Sequence, residues 1–283
     1  MIKMGDYNDL QVIEKVDFGI YLGTPEEKVL LPKKYVPEGT QTGDMLRVFV
    51  YRDSSDRIIA TTLTPKAKVG EFAYLEVKEV NNQGAFLDWG LEKDLLVPFR
   101  EQKIKMVEGS SYVVWIYVDD KTGRITATTK IGNYFNLKPI DVKPGDEVDL
   151  LVYKIMDIGA GVIVNNAFQG LVYKNDIYKD LFVGDKLKGH VLKVREDDKL
   201  DITIRKPGFS KVLDSKQQVL EKLKENDGFL FLHDKSSAEE IYHVLHMSKR
   251  NFKEAIGMLY KEKAIDIMDN GIRLRHMDEG EDE

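Results

Sequence analysis

The 283-residue chain has no cysteine. A disulfide framework and any thiolate metal site are therefore excluded, and a reducing compartment fits the composition. Histidine occurs only at 190, 233, 243, 246 and 276. His243 and His246 stand three apart on a predicted helix with no third ligand in sight, and His190 lies inside a predicted strand, so no metal site is expected. Walker, GxGxxG, GxSxG and HExxH motifs are also missing, and nothing groups the plentiful acids. No catalytic residue and no cofactor are expected. No run approaches the ~18 apolar residues of a membrane span, and the opening MIKMGDYNDL lacks the apolar centre of a signal peptide. The expectation is a soluble cytoplasmic protein.

A strong positive charge is missing as well. The net charge is -6, which argues against a nucleic-acid binder of the highly basic kind, because neutralisation of phosphates by Lys and Arg dominates such affinity. The excess acid is concentrated, however, in the terminal run DEGEDE at 278–283. Such a run reads as a solvated tail, and the remaining chain is nearly neutral.

What the chain does have is a phrase written twice, DRIIATT at 56–62 and GRITATT at 123–129. Extending both copies outward aligns FGIYL (18–22) with QGAFL (83–87), and KVLLPKKY (28–35) with KDLLVPFR (93–100). A more diverged third copy carries VYKIMDIGAGVIV, GLVYKND and VGDKLKGHVLKV between 152 and 194. Gly19, Gly84 and Gly159 correspond. Each unit holds about five short β-branched or aromatic runs separated by Gly, Asp and Lys turns, with RDSSD, DDKTG and REDDK as hairpin loops before the last strand. With no helix to cover a sheet, five short strands bury an inner face by curling into a barrel. Units at 1–66, 67–135 and 136–210 are expected, in tandem.

The order of strand, Gly turn, strand, GLV-aromatic, then GD before a long hairpin resembles the S1 RNA-binding domain, an OB-type barrel. That resemblance implies single-strand binding by bases stacked on exposed aromatics with cations along the backbone path. Its aromatic positions fall on Phe18 and Tyr21 in the first unit and on Phe86 in the second. In the third, Ile158 and Gly161 replace both, and Tyr173 takes the position of the family's His in GLVH. A glycine-permitted bulge would bring Phe18 and Tyr21 onto one face. The competing assignment for each aromatic is barrel core, and Trp89 in DWG is either a further platform or a cap on the barrel end. Lys33, Arg100 and Lys174 stand at or near the GLVH-like positions as candidate phosphate contacts, against a plain role as solvated surface cations.

After KPGFS the period changes to 3.6. Val212, Val219, Leu220 and Leu223 share a helical face. Ser237 and Glu240 have capping-box spacing, and Ser248 precedes a helix with Phe252, Ile256 and Leu259 at i, i+4, i+7. Two alternating strands then meet at Asn270-Gly271, a hairpin signal. Three helices and a hairpin over 211–277 form a winged-helix pattern. Lys249, Arg250 and Lys253 at the start of the last helix, with Arg273 on the wing, are its candidate nucleic-acid contacts; Glu254, Glu262, Asp266 and Asp269 share the neighbourhood, and the alternatives to a DNA reader are an RNA-facing module and a structural or protein-docking one.

Three S1-like barrels followed by a winged helix resemble the CvfB (YitL-type) family of bacterial proteins. The resemblance implies a mainly β multidomain fold and an RNA-binding regulator of gene expression, of virulence factors in some Gram-positive bacteria. Single-stranded RNA is the expected partner. The rivals are a DNA-binding transcription regulator led by the winged helix and a docking adaptor for the ribosome or RNA polymerase.

Overall fold

The structure, a computed structural model, describes residues 1–177, 179–205 and 209–275. The acidic tail lies outside these. Two compact units are present, Met1–Thr203 and the segment from Ile204 onward.

The first unit contains three five-stranded sheets of one design. In the first, β1 (Tyr7–Val16), β2 (Gly19–Gly23), β3 (Lys28–Pro32), β4 (Met45–Arg52) and β5 (Ile58–Thr61) close in the order β1-β2-β3-β5-β4. The second is built from β6 (Phe72–Val80), β7 (Gly84–Leu87), β8 (Leu95–Pro98), β9 (Ser111–Val118) and β10 (Ile125–Thr128). Its sheet runs β10-β9-β6-β7-β8, with β8 and β10 side by side. In the third, β11 (Glu147–Met156), β12 (Gly159–Val164), β13 (Phe168–Tyr173), β14 (Lys186–Val194) and β15 (Leu200–Thr203) close in the order of the first. Alternation decides what faces in. Ile20 and Leu22 of β2 join Val12, Leu31 and Val50 in the first core, while Tyr21 between them stays partly exposed.

The repeated glycine has a different cause from the expected one. The bulge lies on the preceding strand, where the pairing skips one residue: Ile13 between Val12↔Leu22 and Glu14↔Tyr21, then Lys78 and Tyr153 at the matching places. Gly19, Gly84 and Gly159 instead allow close approach of the third strand. A Cβ on them would sit 2.2, 2.3 and 2.0 Å from the carbonyl oxygens of Leu31, Val97 and Val172. Their φ angles of +157°, +152° and +143° add backbone strain for any other residue.

The three sheets are not separate beads. Phe49, Tyr51 and Ile59 of the first pack into the same cluster as Leu75, Leu87 and Trp89 of the second. The hairpins that carry the twin phrases also meet: Arg52 donates to the Gly123 carbonyl at 3.2 Å, Arg124 pairs with Asp56 at 3.2 Å, and Lys93 donates to the Asp53 carbonyl at 2.8 Å. Burial at this junction pushes the Lys93 ammonium pKa down.

Between the second and third sheets runs a ladder of six rings. Tyr117 stacks on Tyr134 (6.0 Å between centroids), Tyr134 on Trp115 (5.3 Å), Trp115 tilts against Phe72 (4.6 Å), Phe72 stacks on Phe135 (5.2 Å), and Phe135 tilts against Tyr153 (5.4 Å). Tyr134 and Phe135 come from the connecting segment itself. Asn166, at φ +53° in the β12–β13 turn, completes the junction by accepting from the Phe72 N–H at 2.6 Å and donating to its carbonyl at 3.2 Å.

The second unit is built from α1 (Phe209–Glu225), β16 (Phe229–Leu230), α2 (Ala238–Leu245), α3 (Lys249–Lys261), β17 (Ile265–Met268) and β18 (Gly271–Leu274), with sheet order β16-β18-β17. Val219 and Leu223 are fully buried with Phe252, Ile256 and Leu259, and Leu220 packs beside them; the side chain of Val212 lies outside the described residues. Ser237 and Glu240 make the capping box, and Ser248 caps α3 by accepting from the Asn251 N–H. The hairpin differs in register from expectation. Met268 pairs with Gly271, so the turn residues are Asp269 and Asn270, and neither has a positive φ. Gly271 is needed because a Cβ there would lie 2.3 Å from the Leu230 carbonyl oxygen of β16.

Two substitutions test these assignments by urea denaturation. Gly159→Ala forces strain and a carbonyl clash and should cost about 1–3 kcal/mol. Asn166→Ala strands the Phe72 backbone groups and should cost about 1–3 kcal/mol; an unchanged midpoint would show that this clamp contributes nothing.

Candidate nucleic-acid interface

The best-formed aromatic site is on the first barrel. Phe18 sits in the turn between β1 and β2, outside the strand alternation, and is 58% exposed. Its carbonyl accepts from the Lys33 N–H at 2.9 Å, which fixes the turn against the one-turn 3-10 helix Lys33–Tyr35. Tyr21 points outward from β2 with the Lys28 ammonium 4.3 Å from its ring centroid, a cation–π contact. Lys28 is shared with Glu14 at 3.4 Å. Lys33 is exposed and has no ion-pair partner among the described residues. The register thus assembles two outward aromatics and two lysines around one strand pair.

On the second barrel Phe86 is the outward residue of β7 and is partly exposed. It lines a cavity of about 90 Å³ together with Tyr51 and Arg52 of the first barrel. Trp89 is a correction. It is only 3% exposed, its indole N–H donates to the Ala67 carbonyl at 2.6 Å, and its ring meets Phe49 edge-on at 5.6 Å. The ring is needed to seal the junction of the first two barrels, so it is not a surface platform. Arg100 is exposed but tied to Asp119 at 2.9 Å. The Asp119 carboxyl is held below the usual range, first by the Thr122 backbone N–H and then by further bonds and the Arg100 charge.

On the third barrel Tyr173 is 40% exposed, and its hydroxyl accepts from Arg195 at 2.8 Å. Arg195 also binds Asp201, and that hydrogen bond holds its pKa up. Lys174 is exposed in the short 3-10 helix after β13. Ile158 is exposed in the turn that corresponds to Phe18. Gly161 corresponds to Tyr21 and Phe86 in register, and a Cβ there would lie 2.9 Å from the Tyr153 ring. An aromatic therefore does cover this place, supplied by the bulged residue of the neighbouring strand. Sequence comparison of equivalent positions passes over Tyr153 because it sits one strand away. Adjacent aromatics in the connecting segment IGNYF, where a loose linker would carry Gly and Ser, were the available signal for the packed junction.

In the second unit Lys249 opens α3 half-buried, Arg250 pairs with Glu254 at 3.2 Å, and Lys253 is exposed. Arg273 on β18 lies 5.8 Å over the Phe229 ring. Apolar rings are also exposed on this unit, with Phe231 at 80% and Tyr242 at 63%. Its surface is a mixture of cations, carboxylates and aromatics.

The S1 domain model matches residues 4–63 and 69–130, and the CvfB-like winged helix domain model matches 217–274. Over 261 residues the chain is 27% identical to Conserved virulence factor B of Staphylococcus epidermidis, spanning 89% of this chain and 88% of that protein. It is 26% identical over 274 residues to the uncharacterized protein YitL of Bacillus subtilis, spanning 92% and 90%. A crystal structure described as a multidomain protein with nucleic acid binding domains, from Streptococcus pneumoniae, matches at 24% identity with a TM-score of 0.41, over 96% of this chain and 98% of that one. The chain thus carries paired S1 domains ahead of a CvfB-like winged helix domain, and along most of its length it is similar to Conserved virulence factor B and YitL.

Proposed function

We propose that this protein is a nucleic-acid-binding regulator of gene expression that acts in the cytoplasm by holding single-stranded RNA on its S1-like barrels. The observation that carries the reading is the outward pair Phe18 and Tyr21 with Lys28 and Lys33 about them, within a segment matched by the S1 domain model. Stacked bases contribute about 1–3 kcal/mol each and are accepted with little regard to sequence. A near-neutral surface suits this mode, because stacking supplies affinity that phosphate contacts do not. Rigid packing of the barrels turns each later contact into an intramolecular one, so weak sites add avidity where one strand reaches them. The relatives' name, virulence factor B, supports the regulatory part of the reading.

A different use of the second unit is favoured by its exposed Phe231 and Tyr242 and by the pairing of Arg250 with Glu254. These suit a protein contact, as in an adaptor for the ribosome or RNA polymerase, better than a DNA reader whose α3 cations must be free for phosphates.

Titration of the full-length protein with labelled single-stranded RNA, single-stranded DNA and duplex DNA at several salt concentrations separates these readings. RNA preference with a shallow salt slope is expected. Tight duplex binding would give the function to the winged helix, and no binding to any of the three would point to a protein partner. Within the RNA reading, Phe18→Ala with Tyr21→Ala should weaken binding by about 1–3 kcal/mol per stacked base lost, and by more than Tyr173→Ala, whose hydroxyl is already engaged by Arg195. Equal losses would overturn that ranking of the barrels.

A further inference from the structure

An open cleft of about 810 Å³ lies along the junction of the second and third barrels. Its wall holds the rings of Tyr112, Phe135 and Tyr153, and its rim holds Lys103, Lys130 and Lys154; no carboxylate is among the residues that line it. Among the described residues none of these three lysines has a carboxylate within ion-pair distance; the same holds for Lys3, Lys121 and Lys143 elsewhere, and what distinguishes the three is that they share one cleft. On a chain of net charge -6, three uncompensated cations around aromatic rings form a local field for an anion.

The rim is held in place. The Lys103 N–H donates to Thr129 Oγ1 at 2.7 Å, the Thr129 N–H donates to the Glu101 carbonyl at 3.0 Å, and the Lys130 ammonium donates to the Arg100 carbonyl. Tyr153 is oriented from below, since its hydroxyl accepts from Gln169 at 2.8 Å and its ring lies over Gly161. Lys154 follows it on β11, just past the bulge. A volume of this size falls within the range of small-ligand pockets, but the cleft is open along its length. A chain of alternating flat rings and anions suits that shape, with bases against Tyr112 and Tyr153 and phosphates at the lysines.

We infer that this cleft binds single-stranded RNA, at a site formed jointly by two barrels and separate from the aromatic face of the first. The inference rests on the RNA-binding reading above. Its test is a triple variant, Lys103→Ala, Lys130→Ala and Lys154→Ala, compared with Lys3→Ala, Lys121→Ala and Lys143→Ala, which removes the same charge outside the cleft. Each is titrated with an unstructured RNA of about twenty nucleotides across a salt series. Loss of three phosphate contacts should lower the log–log salt slope by about 2 and the affinity at low salt by about tenfold or more. The control should change much less, and the three Lys→Arg changes should retain binding.

RNA binding by the wild type with both Ala variants equally affected, or with the cleft variant unaffected, overturns the cleft site and leaves RNA binding intact. No RNA binding by the wild type overturns both. A cleft variant that keeps RNA affinity but loses binding to a poly-aspartate peptide would reassign the cleft to a protein partner and likewise overturn the inference. Matching urea midpoints for all variants exclude a folding defect.

Discussion

The six-ring ladder between the second and third barrels is the contact on which the geometry of the first unit depends. A five-stranded barrel of about this size buries a small core, and two such barrels joined by a free linker would tumble independently. Here the linker is itself the wedge, because Tyr134 and Phe135 stack between Trp115, Tyr117, Phe72 and Tyr153. Each well-placed aromatic pair contributes about 0.5–1.5 kcal/mol beyond its buried area. Burial of the Tyr134 and Tyr117 hydroxyls raises both pKa values. The other junction uses Trp89 as its seal and the Arg52, Lys93, Asp56 and Arg124 group as its polar edge.

Rigid junctions bear directly on binding. A strand that touches several weak sites gains from linkage only where their spacing is fixed or easily reached. The bulge in the first strand of each barrel takes part in this. It carries Ile13 in the first barrel, Lys78 in the second and Tyr153 in the third, and the last of these reaches both the ladder and the outer face beside Gly161. One extra residue per barrel thus gives three barrels of equal topology different surfaces.

Much of the fold was legible in the sequence. The twin phrases and the recurring glycines reveal barrels because period-2 patterning and close-approach glycine are local demands. Helix caps at Ser237 and Ser248 and the buried series Phe252, Ile256 and Leu259 followed for the same reason. The S1 model matches the first two units, which the repeat register alone had joined to the third. Trp89 was ambiguous because an exposed platform and a buried seal are the same residue in a strand-and-turn pattern; only the partner surface with Phe49 separates them. The hairpin at Asp269-Asn270 was misplaced by one residue because a glycine required by cross-strand crowding looks identical to one required by a turn.

The sequence by itself determined that the chain makes repeated small barrels and a winged helix, since alternation, periodicity and capping act over a few residues and survive without knowledge of neighbours. Tertiary structure alone decided which aromatics remain available to solvent, which lysines keep their charge uncompensated, and that Tyr153 covers the place left by Gly161. These depend on contacts between residues far apart in the chain, where burial and pairing are set by the surfaces that meet rather than by the residue types present.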